Sequence, residues 1–142
     1  MPFETPFPAP LYDVTISASA HEHAGAPPST IIRTDQSWAV NVSWQTTGLT
    51  TGMIAGNWHL HCYLERIGPG ADLDLVDPAD HIIPLTPGTS PVNYFVHFDV
   101  PAGAVAAGLY QLVVSMTYLE PTGAPGPMAG FVEGPMLQFY TP

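Results

Sequence analysis

Apolar and polar residues alternate along much of the chain with a repeat of two residues. In such a segment every second side chain points to the same side, so one side can be buried while the other meets water. The alternating segments are 11–18, 38–44, 58–65, 92–100 and 109–119, and a last strand is predicted from about residue 131 to 140. Short extended pieces are predicted at 30–33 and, as one or two edge strands, between 72 and 84. No segment has the 3.6-residue repeat of a helix, so the pattern predicts an all-β chain of about seven strands.

Five apolar rows are predicted to form the core of this chain. They are Tyr12, Val14, Ile16 and Ala18; Trp38, Val40, Val42 and Trp44; Trp58, Leu60, Cys62 and Leu64; Val92, Tyr94, Val96, Phe98 and Val100; and Tyr110, Leu112, Val114, Met116 and Tyr118. Two antiparallel sheets packed face to face would bury all these rows together. We therefore expect one β-sandwich domain over residues 11–142. Residues 1–10 contain four prolines and are predicted to form an extended N-terminal arm.

The composition agrees with a single sandwich domain that has no disulfide. The 142 residues include 17 prolines and 13 glycines, which suit many short segments joined by turns. Cys62 is the single cysteine, so no intrachain disulfide can form. Its position in an apolar row predicts a buried and unreactive thiol.

The charge of the chain argues against two classes of partner. Twelve acidic residues are balanced only by Arg33 and Arg66, and the formal net charge is -10 at pH 7. Nucleic acids and anionic membrane surfaces are bound by clusters of Lys and Arg, so we expect neither as a partner. No apolar run approaches the ~18 residues that cross a bilayer, and the N-terminus does not have the pattern of a signal peptide. The sequence predicts a cytoplasmic protein by default, without membrane insertion.

Two features of the sequence resemble the immunoglobulin and fibronectin type III superfamily. Trp58 lies on the third long strand, where such sandwiches often bury a tryptophan. The segment 107–112 resembles a tyrosine corner, with Tyr110 two residues before the inter-sheet position at Leu112. The resemblance implies an immunoglobulin-like sandwich. Because no cysteine stands at Leu112 or in the segment 38–44, the chain is closer to the disulfide-free sandwiches that serve as linkers, adhesive modules and assembly subunits.

A candidate metal site is suggested by the His-x-His pattern at His59 and His61, followed by Glu65. On one strand these three side chains point to the same side, and imidazole and carboxylate groups suit zinc, copper or iron. His97 could supply a further ligand. The pattern is similar to part of the first cupin motif, but Ala106 stands where the second cupin motif would place a histidine.

A candidate contact surface is suggested by apolar side chains opposite the core rows and by the absence of lysine. Sandwich proteins commonly protect their strand edges with lysine, and this chain has none. Exposed apolar patches often mark contact surfaces. The candidate interface residues are Phe3, Phe7, Tyr63, Phe95, Val113 and Leu119.

These features predict a non-catalytic β-sandwich module with a structural, self-assembly or protein-binding role. The expected partner is a copy of the chain, giving a homo-oligomer, or another protein. One alternative is a metal-binding protein or metal-dependent enzyme that uses the His-x-His strand. Another is a carbohydrate-binding module that uses Tyr63 and Phe95. No catalytic or cofactor-binding residue and no cofactor is predicted.

Overall fold

The computed structural model describes residues 3–4, 12–22, 27–48, 53–75, 81–85 and 91–142. The strands in these ranges are β1 (Phe3–Glu4), β2 (Asp13–His21), β3 (Ile31–Arg33), β4 (Trp38–Thr47), β5 (Asn57–Arg66), β6 (Leu73–Asp74), β7 (His81–Pro84), β8 (Val92–Val100), β9 (Gly108–Leu119) and β10 (Pro125–Tyr140). None of the described residues lies in a helix. The described part of the chain therefore contains no helix that could cross a membrane.

The strands form two sheets. In the larger sheet the order is β1-β10-β9-β5-β6, with β3 also paired to β10 and β7 also paired to β5. In the smaller sheet the order is β2-β4-β8. Neighbouring strands are antiparallel except for β3, which runs parallel to β10. The predicted all-β fold of two sheets is thus confirmed. Six of the described strands have nine or more residues, and the other four are pieces of two to four residues.

The core lies between the two sheets and is built from the predicted rows. Nearly all residues of those rows are buried there, with Ala18, Val92 and Val96 half-buried at its margin. The side chain of Phe98 lies outside the described part. Trp38 of the smaller sheet meets Phe139 of the larger sheet edge to face, with ring centroids 5.2 Å apart. Aromatic contacts of this kind add to the stabilisation from burial itself.

The turn before β9 has the hydrogen bond of a tyrosine corner. The Tyr110 hydroxyl donates to the carbonyl of Ala106 at 2.9 Å, four residues upstream. It also accepts a hydrogen bond of 2.8 Å from Arg66 Nη1. The Arg66 side chain lies so close to Gly108, which has a φ of 154°, that a Cβ there would be 3.0 Å from Nη2. The last turn before β9 is therefore held by both backbone and side-chain contacts.

Two segments differ from the predicted boundaries. The last strand is longer than the predicted 131–140, because β10 already begins at Pro125, opposite Leu119 of β9. Gly126 allows this close pairing, since a Cβ there would lie 2.3 Å from the Tyr118 ring. In the predicted arm, Phe3 and Glu4 pair with β10 as β1. Both segments gain their strand structure from pairing with neighbours rather than from an alternating pattern of their own.

Candidate functional site

The outer strands of the two sheets differ in how their edges are covered. β10 carries β1 at Ala129 and Gly130, and β3 at residues 138–140. Between these two pairings β10 contains Pro135 and a shift in register, both of which discourage further pairing. β5 carries β6 and β7 at its edge. The outer edge of β2 pairs with none of the described strands, although β2 packs beside β10 and β1.

The outer edge of β8 has no such cover among the described strands. β8 pairs with β4 from Val92 to Val100 without a shift in register, and no described strand pairs with its other edge. Its nine residues include no lysine, arginine or proline. An edge strand exposes unpaired N–H and C=O groups, and lysine, proline and bulges are the usual devices that protect it. The open edge of β8 is therefore a regular strand that none of these devices protects.

The outward side chains of β8 combine one aromatic ring with polar groups. They are Asn93, Phe95, His97 and Asp99. Phe95 is 65% exposed, the largest exposure of any aromatic side chain in the described residues. His97 Nδ1 lies 2.9 Å from Asn41 Oδ1, and His97 Nε2 lies 3.1 Å from Asp99 Oδ1. These contacts fix His97 against its own sheet.

A shallow cavity of about 470 Å³ lies on the same face, beside Phe95. Hydroxyl and amide groups surround it: Gln45 Nε2 donates to Asn93 Oδ1 at 3.0 Å, and the hydroxyls of Ser17 and Ser43 are 2.8 Å apart. The site offers donors and acceptors but no positive charge, so its chemistry suits an uncharged polar ligand.

The opposite outer face, on the larger sheet, carries His59, His61, Tyr63 and Glu65 of β5. His61 Nε2 lies 2.9 Å from Asp74 Oδ1, and its ring meets the Tyr63 ring edge to face at 5.8 Å. Glu65 is exposed and lies opposite a polar residue of β9. Three of the four predicted metal ligands therefore do share one face, as the alternation predicted.

The structure does not bring His97 to the other predicted ligands. His97 lies on the outer face of the smaller sheet, whereas His59, His61 and Glu65 lie on the outer face of the larger one, with the core between them. In the described ranges no group of three His, Cys, Asp or Glu side chains is close enough to hold a metal ion. The described geometry therefore adds no support to the metal hypothesis.

The remaining candidate interface residues have different surroundings. Phe3 turns inward and packs against Trp58, with centroids 6.2 Å apart, so it contacts its own domain. Val113 is only 5% exposed, although it lies on the outer face, and Leu119 is half-buried. Phe7 lies outside the described residues. Of the described candidates, Phe95 is thus the one most available to another molecule.

The groups with the greatest chemical reactivity are already engaged or buried. Burial raises the pKa of the Cys62 thiol to about 12, so it is protonated at neutral pH. The guanidinium of Arg33 forms two hydrogen bonds with the Asp35 carboxylate, at 2.9 and 2.8 Å. Arg66 is held at Tyr110. No arginine of the chain is therefore free to bind an anionic ligand.

Sequence reasoning found Phe95 but missed the strand edge on which it lies. The alternation located β8 correctly, yet only the order of strands shows which of its sides is paired. The available signal was the composition of residues 92–100, where a strand of high β-propensity has no residue that protects an edge.

No protein-family model and no curated protein matches the sequence. Among solved structures, the chain is similar to a β-glucosidase from Listeria innocua in complex with glucose, with 16% identity and a TM-score of 0.46. That match covers 87% of this chain but only 16% of the β-glucosidase chain. It is also similar to the putative ApaA protein from Bordetella pertussis, with 14% identity, a TM-score of 0.40, and 95% and 98% of the two chains covered. Both TM-scores are below 0.5, so neither similarity indicates a function for this chain.

Proposed function

We propose that the chain is a non-catalytic structural module that joins protein chains by adding a strand at the open edge of β8. The observation that carries this proposal is a regular nine-residue strand with one unpaired edge and no lysine, arginine or proline. Every second residue of such an edge presents an N–H and a C=O to an incoming strand. Binding by strand addition uses these main-chain groups for affinity and the flanking side chains for specificity.

The charges of β8 agree with association at this edge. The formal net charge of the chain is -10, but β8 contributes Asp99 as its only acidic residue. A strand that approaches the edge therefore meets one like charge on β8 itself, and salt screens the more distant charges of the chain. Phe95 lies beside the edge and can cover part of the incoming strand, so its exposed ring would be partly buried on association.

The buried Trp58 and the corner hydrogen bond at Tyr110 support an immunoglobulin-like or fibronectin type III-like sandwich. Folds of this type serve many functions, so the fold does not choose among them. The chemistry of the described residues favours a non-catalytic role, because the Cys62 thiol is buried and both arginines are engaged within the chain.

A peptide titration followed by NMR tests whether the edge accepts a strand. A capped peptide with the sequence of residues 92–100 is added to the isotope-labelled chain. We expect chemical-shift changes and slower hydrogen exchange at alternate amides of β8, because only every second N–H faces the open edge. The control peptide carries proline in place of Val96, which bends the strand and lowers its affinity for a straight edge.

The location of the response decides the outcome. Changes confined to β8 and to the residues beside it on the outer face of the smaller sheet support the proposal. Changes confined to β2, or no change at any soluble peptide concentration, would overturn it.

A second candidate function is favoured by the cavity beside Phe95. Its exposed ring, together with the Gln45–Asn93 and Ser17–Ser43 pairs, could hold an uncharged sugar by stacking and hydrogen bonding. Calorimetry with neutral oligosaccharides tests this. Binding that is lost in Phe95→Ala and kept in Tyr63→Ala supports sugar binding on this face. If none of the sugars gives a heat of binding, this second function is excluded.

A further inference from the structure

We infer that the strand added to β8 is β8 of a second copy of this chain, in an antiparallel ladder that places Val96 opposite Val96 of the other copy. This inference rests on the proposed function and names its partner. It makes the association a closed dimer, with two three-stranded sheets continuing as one sheet of six.

The prolines that bound β8 are placed symmetrically about Val96. Pro91 and Pro101 are each five residues from it, immediately before and after the strand. Proline has no N–H and cannot donate to a ladder. An incoming strand can therefore pair along the nine residues between the prolines and no further. Only an antiparallel copy centred on Val96 uses all nine residues of both strands, with Pro91 of one copy opposite Pro101 of the other.

The outward side chains of β8 are complementary in this register. Asn93 lies opposite Asp99 of the second copy, so that an amide donor faces a carboxylate. Phe95 lies opposite His97 of the second copy, which places two rings side by side. Symmetry repeats each pair, and directly opposite side chains are the pairs that interact most strongly across strands. No carboxylate of β8 faces a carboxylate of the other copy.

Other registers are less favourable for physical reasons. A shift by one residue places outward polar side chains opposite the inward apolar row, so that the two faces of the sheet no longer match. A two-fold axis at Phe95 places Asp99 opposite Pro91 and leaves Val100 without a partner on the other strand. The register centred on Val96 avoids both defects.

The covered edges elsewhere limit the size of the assembly. In the six-stranded sheet each outer strand would be β2, which packs beside β10 and β1 of its own chain. After the two-fold contact covers β8, the unpaired edge left in each smaller sheet is that of β2, and β10 and β1 of the same chain pack beside it. Association should therefore stop at two chains rather than continue as a filament.

Disulfide trapping tests the partner and the register together. Directly opposite residues of an antiparallel pair have Cα atoms about 4.5–5.5 Å apart, within reach of a disulfide. In the proposed register, the cysteine of Val96→Cys lies directly opposite the same cysteine of the second copy. The two cysteines of Phe95→Cys are instead offset by two residues, or roughly 7 Å along the strand. Both variants are oxidised with diamide, and covalent dimer is measured by gel electrophoresis without reductant. The wild-type chain is the control, because its buried Cys62 should give no dimer.

We expect covalent dimer from Val96→Cys at least tenfold above that from Phe95→Cys. The reverse result would place the two-fold axis at Phe95 and overturn the register. If neither variant forms dimer while the peptide of residues 92–100 still shifts the β8 amides, the second copy is the wrong partner and the proposed function remains. If neither forms dimer and the peptide has no effect, both the inference and the proposed function fail.

Discussion

The guanidinium of Arg66 lies over the ring of Tyr110, with its central carbon 5.3 Å from the ring centroid, while Nη1 donates to the Tyr110 hydroxyl at 2.8 Å. The same hydroxyl donates to the carbonyl of Ala106. One of the two arginines of this acidic chain is thus committed to holding a turn of the larger sheet. The other, Arg33, is committed to Asp35. The described surface consequently presents no unpaired arginine to a partner, which agrees with the proposed main-chain pairing at a strand edge.

Removal of the Tyr110 hydroxyl should destabilise the fold without changing its packing. Tyr110→Phe keeps the ring but leaves Arg66 and the Ala106 carbonyl without this partner, at a cost of about 1–3 kcal/mol in the free energy of unfolding. Urea denaturation measures the loss. Tyr140→Phe, at a ring that is 40% exposed, is the matched control and should change stability by less than about 0.5 kcal/mol. Equal effects of the two substitutions would show that the hydrogen bonds of the Tyr110 hydroxyl make no specific contribution to stability.

The buried thiol should make the protein less stable in alkali. Burial raises the pKa of Cys62 to about 12 in the folded chain, whereas an exposed cysteine ionises near pH 8.5. The folded state therefore keeps a proton that the unfolded state loses. This stabilisation is complete below about pH 8.5 and disappears as the pH rises toward 12. Between pH 7.5 and 9.5 the thiol alone should lower the free energy of unfolding by about 1.4 kcal/mol.

A cysteine-free variant separates this effect from the titration of other groups. Tyr12 and Tyr118 also have raised pKa values because of burial, but tyrosine ionises at higher pH than cysteine. Between pH 7.5 and 9.5 the free energy of unfolding of Cys62→Ala should therefore fall by about 1.4 kcal/mol less than that of the wild type, whatever its value at pH 7.5. Parallel pH profiles for the wild type and Cys62→Ala, measured by urea denaturation, would contradict the account.

A lysine next to the open edge should prevent association. Phe95→Lys places a charge beside the edge and removes the exposed ring, while the core is untouched because the side chain is 65% exposed. We expect the dissociation constant to rise at least tenfold, measured by light scattering across a concentration series. Thr15→Lys is the matched control, because Thr15 is an exposed residue on the same face, at the β2 edge, and the change in charge is identical. Each lysine reduces the net negative charge and hence the repulsion between copies, so similar weakening by both variants would show that the effect is not specific to the β8 edge.

The sequence predicted the long strands because their burial is periodic. β8 spans the predicted residues 92–100, and Trp58, Leu60, Cys62 and Leu64 are buried as expected. The pattern could not predict β1 or the start of β10, because these residues are strands only through the neighbours they pair with. It also could not separate His97 from His59 and His61. Alternation assigns a side chain to one face of its own strand, and only the topology shows that the two strands belong to different sheets.

Sedimentation velocity on the wild-type chain, over a range of concentrations and at two salt concentrations, tests most directly the claim that β8 joins two chains. One chain has a mass of 15.1 kDa, and the proposed dimer requires a rise to twice this mass with no larger species. Two chains of net charge -10 repel each other, so the dimer should be tighter in 0.5 M salt than in 0.05 M salt, where screening is weaker. A chain that stays at 15.1 kDa at every concentration, or one whose mass continues to grow beyond two copies, would contradict it.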